Sequence, residues 1–370
     1  MHDRNSPPQA APEDSVAIEE ARRQLRICNA CRYCEGYCAA FRAITRRRDF
    51  DGRDILQLAN LCHDCRGCYY SCQYAPPHEF ALNLPRALAE VRRESWERFA
   101  FPQRAARLLQ RHGVALLALA LAGGLALALL ASALGPAGGP AFYAVLSHGW
   151  MVAIFLPAFL VPLGLTLAGL RGYWRAVGGE RVRPRQLRAA LHEALRLSNL
   201  GGGHGEGCNF ERGERFSLAR RRAHHLVLWG FVLCFASTAS ATVMHYLFAM
   251  PAPYPPLSVP KLFGVPGGVM LLVGALWMAA LRLWAERAPA DGRAFWAGMA
   301  FVLLLAAIAA SGLLLWLLRD TAGLLHLLTL VHLATVLAFF LSLPFTRMAH
   351  APFRFAALLR DMQERETAGR

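Results

Sequence analysis

Of the 40 Lys and Arg residues only one, Lys261, is lysine, and the first 25 residues hold no apolar core. The second absence argues against a secretory leader, and so against the oxidising compartment in which disulfides persist. No Gly-Lys-[Ser/Thr] follows the Gly-rich stretch LSNLGGGHGEGCNF, so a phosphate-cradling loop is not expected. Aromatic and basic residues do not interleave as on a nucleic-acid surface, and no nucleic-acid partner is expected despite a formal charge of +15. No proline follows Cys38 or Cys72; Ala39 and Gln73 stand there. Outside one repeated pattern only Cys208 and Cys234 remain, too few for a tandem catalytic cysteine motif.

The repeated pattern is Cys28-x2-Cys31-x2-Cys34-x3-Cys38, then Cys62-x2-Cys65-x2-Cys68-x3-Cys72. Such spacing lets a chain wrap two iron–sulfur cubes: three thiolates of each hook take one cluster, and the fourth caps the other. Cys28, Cys31, Cys34 and Cys72 are therefore expected on one [4Fe–4S] cluster, and Cys62, Cys65, Cys68 and Cys38 on the second. Zinc would use two separated pairs and leave the third cysteine of each hook unexplained. Cys208 and His204 are two metal-capable groups, which do not make a site.

A chain that is 55% hydrophobic yet carries +15 must segregate the two kinds of residue. Residues 1–112 and 171–223 are Arg-rich and polar, and most of the rest is long apolar runs. A membrane-spanning helix needs about 20 mostly apolar residues. Six segments qualify: Val114–Leu134, Leu146–Leu170 (broken by Pro157 and Pro162), His225–Phe248, Phe263–Trp284, Ala294–Leu318 and Gly323–Pro344. Arginine clusters on alternate joints, with twelve between Arg171 and Arg222, while the intervening joints carry almost none. By the positive-inside rule both termini and the cysteine hooks face the cytoplasm, which implies a multi-pass protein of the inner membrane.

Ionisable residues in apolar helices mark functional positions. His225 opens the third span and His245 closes it; His332 lies early in the sixth, and His350 follows its end. At about 1.5 Å per residue, His225 and His350 share one depth and His245 and His332 the other. Two histidines from two helices at one depth form a haem sandwich. An inner haem b is expected between His225 and His350, with His224 as the rival ligand, and an outer one on His332 with His245 or His148.

The exit of the sixth span, HLATVLAFFLSLPFTRMAH, resembles the last helix of the respiratory nitrate reductase gamma-subunit family of dihaem quinol-oxidising proteins. His332, Pro344, Phe345, Thr346, Arg347 and His350 fit that pattern, while Phe235 stands where its distal ligand would fall. Without strand alternation or the prolines, the cysteine region resembles the all-helical ferredoxins of heterodisulfide reductase small subunits and succinate dehydrogenase iron–sulfur subunits. The whole order, from about Ala21 onward, resembles the tricarballylate or citrate utilisation protein B family. The two hooks, GGGHGEGCNF and LPFTRMAH carry that likeness.

The resemblance implies an electron carrier that reoxidises the flavin of a soluble FAD-dependent dehydrogenase, such as tricarballylate dehydrogenase. Two [4Fe–4S] clusters and haem b would pass electrons to the membrane quinone pool. No organic-substrate catalytic site is expected on this chain. A heterodisulfide-reductase-like subunit and a redox sensor or anchor without turnover are the alternatives.

The expected fold class is all-α: an α-helical ferredoxin-like domain, then a six-helix transmembrane haem-binding bundle. The expected layout is a disordered stretch 1–20, the two-cluster domain 21–90 and a basic amphipathic connector 91–113 anchored by Trp96, Phe99 and Phe101. Spans one and two follow at 114–170, a Gly-rich loop at 171–223, spans three to six at 224–350 and a tail at 351–370. The loop is either packed between clusters and inner haem or a free surface segment. The partner would dock near Arg46–Arg48, and Arg347 or His326 would assist quinone chemistry.

Overall fold

The computed structural model describes residues 15–134, 143, 145–202, 205–211, 215–318, 320–321 and 324–368. Those residues form fourteen α-helices and no strand, with one isolated bridge between Cys208 and Ser217. The expected all-α class holds. His204 lies outside the described residues.

The cysteine domain is built from five helices. Helix α1 (Val16–Cys31) starts where the Ser15 hydroxyl accepts the Ile18 N–H, so residues 16–20 are helical and not disordered as expected. Helix α2 (Ala39–Thr45) leaves the first hook. Helix α3 (Gly52–Leu61) carries a reciprocal cap between Asp51 and Asp54. Helix α4 (Gly67–Tyr70) lies within the second hook, and α5 (Leu84–Phe99) closes the domain against α1 and α3.

The expected connector is not one anchored helix. Leu84, Leu88 and Val91 are buried at helical spacing, which makes α5 part of the cysteine domain. Trp96 is 5% exposed and donates its Nε1–H to Asn60 Oδ1 at 2.9 Å. Phe99 meets Tyr173 edge-on at 5.7 Å. Trp96 is a core residue and half-buried Phe99 packs against that core, so of the three expected anchors only Phe101 is exposed. The chain resumes after Pro102 as α6 (Gln103–Arg111).

Six helices are long and apolar enough to cross a membrane: α7 (Gly113–Leu134), α8 (His148–Ala176), α10 (Ala219–Leu247), α11 (Val259–Trp284), α12 (Phe295–Leu317) and α13 (Leu324–Ser342). Helix α8 runs unbroken past Pro157 and Pro162, contrary to expectation. Surrounding helices can re-satisfy the backbone that proline frees in an apolar medium. Leu117, Leu121, Leu125 and Leu129 form an exposed stripe along α7, the face a lipid chain would cover. Helices α10 and α11 approach so closely that a Cβ on Gly230 would lie 2.5 Å from the Leu271 nitrogen. Small residues permit that contact.

Two helices bind the halves together. Helix α9 (Pro184–Leu195) lies in the expected loop 171–223, and α14 (His350–Ala368) replaces the expected tail. Phe353, Ala357, Leu358 and Met362 of α14 join the core of α1, α3 and α5, together with Tyr173 from α8. Asp361 is fully buried and pairs with Arg46, and with Arg365 at 2.6 Å. Arg47 pairs with Asp54 and Glu364, each at 2.7 Å. Arg46 and Arg47 are thus committed to internal ion pairs, while Arg48 beside them is exposed.

Replacing Asp361 with alanine leaves two guanidiniums without their buried carboxylate. Breaking a buried pair costs about 3–5 kcal/mol, and the partial exposure of both arginines puts this case at the lower end. Thermal unfolding of the detergent-solubilised variant should show a clearly lowered midpoint; an unchanged midpoint would mean that α14 is held by its apolar face alone.

Candidate metal and haem centres

The eight hook cysteines are free thiols gathered at the join of α1, α2, α3 and α4. Burial pushes Cys28 up to about 12, and the thiolates of Cys72, Cys34 and Cys31 add to the effect. Cys34 is pushed to about 12 by burial, then chiefly by Cys72 and Cys31. Burial, followed by Cys65 and Cys62, raises Cys38. Each hook's fourth cysteine therefore sits in the electrostatic neighbourhood of the other hook, as crossed ligation requires. Cys28, Cys31, Cys34 and Cys72 line a cavity of about 230 Å³, with Cys68 on its wall and Tyr33, Tyr69 and Tyr74 around it.

Among the described residues no three His, Cys, Asp or Glu side chains converge as ligands of a single ion. A cubane asks for a different arrangement, with thiolates at the corners of a wider space. The donor chemistry fits that group. Burial disfavours ionisation of Cys28, Cys34, Cys38, Cys62, Cys68 and Cys72, and such thiols need a cationic core to become thiolates together. Backbone amides already favour the thiolate form: those of Ala40 and Phe41 point at Cys38, Gly67 at Cys65, and Tyr74 and Ala75 at Cys72. Asp64 N–H lies 3.5 Å from Cys62 Sγ. The hooks turn tightly at Arg32, Asp64 and Arg66, whose φ values of 54°, 53° and 67° are left-handed.

Arginines the sequence reading did not single out support the second hook. Arg92 donates to the Cys62 carbonyl at 2.7 Å, and Arg354 of α14 donates to the same oxygen at 3.0 Å. The only sequence signal was a polar residue spaced helically among apolar ones, Arg92 in α5 and Arg354 in α14.

Of the described residues of the Gly-rich segment, 207–210 are packed inside while Gly205 and Glu206 are exposed. Cys208 is 1% exposed and lies within hydrogen-bond reach of Cys65, while Asn209 N–H donates to the Cys65 carbonyl at 2.9 Å. Gly207 has φ 109°, and a Cβ there would sit 2.0 Å from the Ser217 carbonyl, so only glycine lets the Cys208–Ser217 bridge close. Arg220, in the first turn of α10, donates to the Asp64 carbonyl at 2.7 Å. One helical turn later stands His224.

His224 and His350 stand edge-on to one another, with ring centroids 6.0 Å apart and planes at 70°. Two metal–nitrogen bonds of about 2 Å, extended to the ring centres, span roughly 6 Å, so the pair fits a bis-histidine iron. His350 Nδ1–H donates to the Arg347 carbonyl, which leaves Nε2 with its lone pair free. Burial first, then Arg354 and His224, holds His350 down to about 3, so its imidazole stays neutral as a ligand must. The ring that meets His350 is His224's, not the expected His225's. Successive helical residues point about 100° apart, so only one of the two can face α14. Pro344 ends α13, and two short 3-10 turns carry the chain to His350, so His332 and His350 do not share a helix.

At the opposite end His148 and His245 stack on each other, centroids 4.1 Å apart, with His148 Nε2 3.0 Å from the Tyr246 hydroxyl. That spacing leaves no room for an iron between them. His332 Nδ1 lies 3.0 Å from Ser311 Oγ on α12.

The Citrate utilization protein B family model matches residues 100–370, and its Fer4-like domain model matches residues 21–97. The chain belongs to the citrate utilization protein B family. Citrate utilization protein B of Escherichia coli is 42% identical over 347 residues, 92% of this chain and 91% of that relative. No solved structure matches. The Fer4-like match in this family member spans both cysteine hooks, and the boundary at 97–100 falls at the end of α5, where the cluster domain stops.

Proposed function

We propose that this chain carries electrons from a reduced flavoprotein to a membrane quinone in the use of citrate or tricarballylate, through two [4Fe–4S] clusters and one b-type haem. The clusters and haem, when bound, supply one-electron redox chemistry to a flavin that yields two electrons. Cys28, Cys31, Cys34 and Cys72 hold the first cluster, Cys38, Cys62, Cys65 and Cys68 the second, and His224 with His350 the haem. The cysteine end is assigned to the cytoplasm on the arginine bias of the joints.

One observation carries the reading. The second hook and the histidine pair are joined by direct contacts, from Cys65 through the Asp64 carbonyl to Arg220 and along one turn to His224. Arg92 and Arg354 place positive charge on the Cys62 carbonyl, which favours an added electron beside it. The first hook opens to the surface at Tyr33, which is 68% exposed. The flavoprotein is assigned to this face, and not to the Arg46–Arg48 segment.

The test uses the full chain in detergent. Dithionite reduction should give b-type haem bands, together with iron and sulfide near two cubanes. Adding a reduced FAD-dependent dehydrogenase should reduce those bands, and a soluble quinone should reoxidise them. Haem bands that respond to dithionite but not to the reduced flavoprotein would overturn the proposed direction of flow.

A further inference from the structure

Between the cluster domain and the bundle lies a cavity of about 80 Å³ with arginines on its walls. Arg93 is neutralised there by Asp291 at 2.7 Å and Glu97 at 3.1 Å, and Arg66 faces Asp64 at 3.5 Å. Arg220, Arg282 and Arg347 have no carboxylate partner among the described residues, and the Nε of each is buried without a hydrogen bond. Arg220 stacks on Phe210 at 4.2 Å, with Arg66 also over that ring at 4.4 Å. Arg282 and Arg347 converge on α12 at Gly298, where a Cβ would lie 2.3 Å from Arg282 Nη2 and 2.4 Å from Arg347 Nε. Two like charges thus press together where no side chain separates them. Buried charge of this kind is stable only beside an anion.

The positions of these arginines name the anion. Arg220 precedes His224 by one helical turn, so both lie on one face of α10. Arg347 precedes His350 by three residues, and its carbonyl holds the His350 ring. Each histidine of the pair therefore has, one turn away on the side of the cavity, an arginine bonded only to a backbone carbonyl, Arg220 to Asp64 at 2.7 Å and Arg347 to Ala294 at 3.0 Å, with no carboxylate among the described residues to pair its charge. The neighbouring Arg92 and Arg354 are already committed to the Cys62 carbonyl.

We infer that Arg220, Arg282 and Arg347 form a carboxylate site that receives the propionates of a haem held by His224 and His350. This assignment rests on the haem reading above. These are positioning residues: they pair with the edge of the macrocycle and set the charge around its iron. Positive charge beside the iron favours the reduced state.

The test is an optical redox titration of the full chain in detergent, with resonance Raman of the propionate bending mode. The variants are Arg347→Gln and Arg220→Gln, each beside its lysine counterpart, with the exposed Arg185→Gln as control. Both glutamine variants should keep the b-type bands, shift the midpoint downwards and move the propionate mode. Both lysine variants should recover part of the shift, since charge and not shape is restored. An unmoved midpoint and propionate band with haem present would overturn the assignment, as would equal shifts for glutamine and lysine. Inorganic phosphate or acetate added to the wild type should leave its midpoint in place; a shift would mean that the cavity takes a free anion, and would also overturn it. A haem-free wild type, by contrast, removes the haem reading itself and this assignment with it.

Discussion

Replacing Cys72 with alanine is expected to remove one cluster and spare the other. Cluster iron should fall from about eight atoms per chain to about four, with acid-labile sulfide falling in step. The surviving reduced cluster should keep a simple paramagnetic signal, without the broadening that two nearby reduced clusters impose on each other. The cluster lost is the one whose other ligands lie in the first hook, because Cys72 acts on Cys28 and Cys34 more strongly than any other thiolate does.

Double variants decide between crossed and uncrossed ligation. Cys28→Ala with Cys72→Ala should lose no more iron than either alone, since both strip the same cluster. Cys28→Ala with Cys38→Ala should lose nearly all of it. Uncrossed ligation predicts the reverse for the second pair: Cys28 and Cys38 would then belong to one cluster, and the double variant would retain about four irons. Iron and sulfide assays on purified protein separate these outcomes without any activity measurement.

The cysteine spacing and the six apolar runs were legible because each is a local pattern with a fixed physical period. Two kinds of feature were not. The first is long-range capture of amphipathic segments. Residues 351–370 read as a tail because Phe353, Ala357, Leu358 and Met362 are diluted by charge, yet α14 buries that stripe against α3. The same applies to Trp96, whose indole is as plausible at a membrane surface as in a core until Asn60 appears beside it. The second is rotational phase. Depth along a helix follows from rise per residue, so the inner level of the histidine site could be read. Which of two consecutive histidines faces α14 depends on how α10 is turned against α11, and the close approach at Gly230 sets that turn. Likewise His148 and His245 share a depth, but only packing shows them in contact.

That difference of phase yields the second large effect. His224→Ala and His350→Ala should each abolish the b-type spectrum, whereas His225→Ala should keep it. The reason is geometric: the two rings stand 6.0 Å apart, the separation that an iron between two imidazoles requires, and the His350 lone pair on Nε2 is freed by the bond from Nδ1–H to the Arg347 carbonyl. Losing either imidazole would take a nitrogen ligand from the haem that His224 and His350 would hold, and that loss would show in the pyridine haemochrome assay and the reduced spectrum. Iron–sulfur content should be unchanged in all three variants, which separates loss of a ligand from loss of the fold. Retention of haem by His224→Ala together with its loss from His225→Ala would require α10 to be rotated by about 100° from the arrangement seen, and with it the Arg220 contact to the Asp64 carbonyl would break.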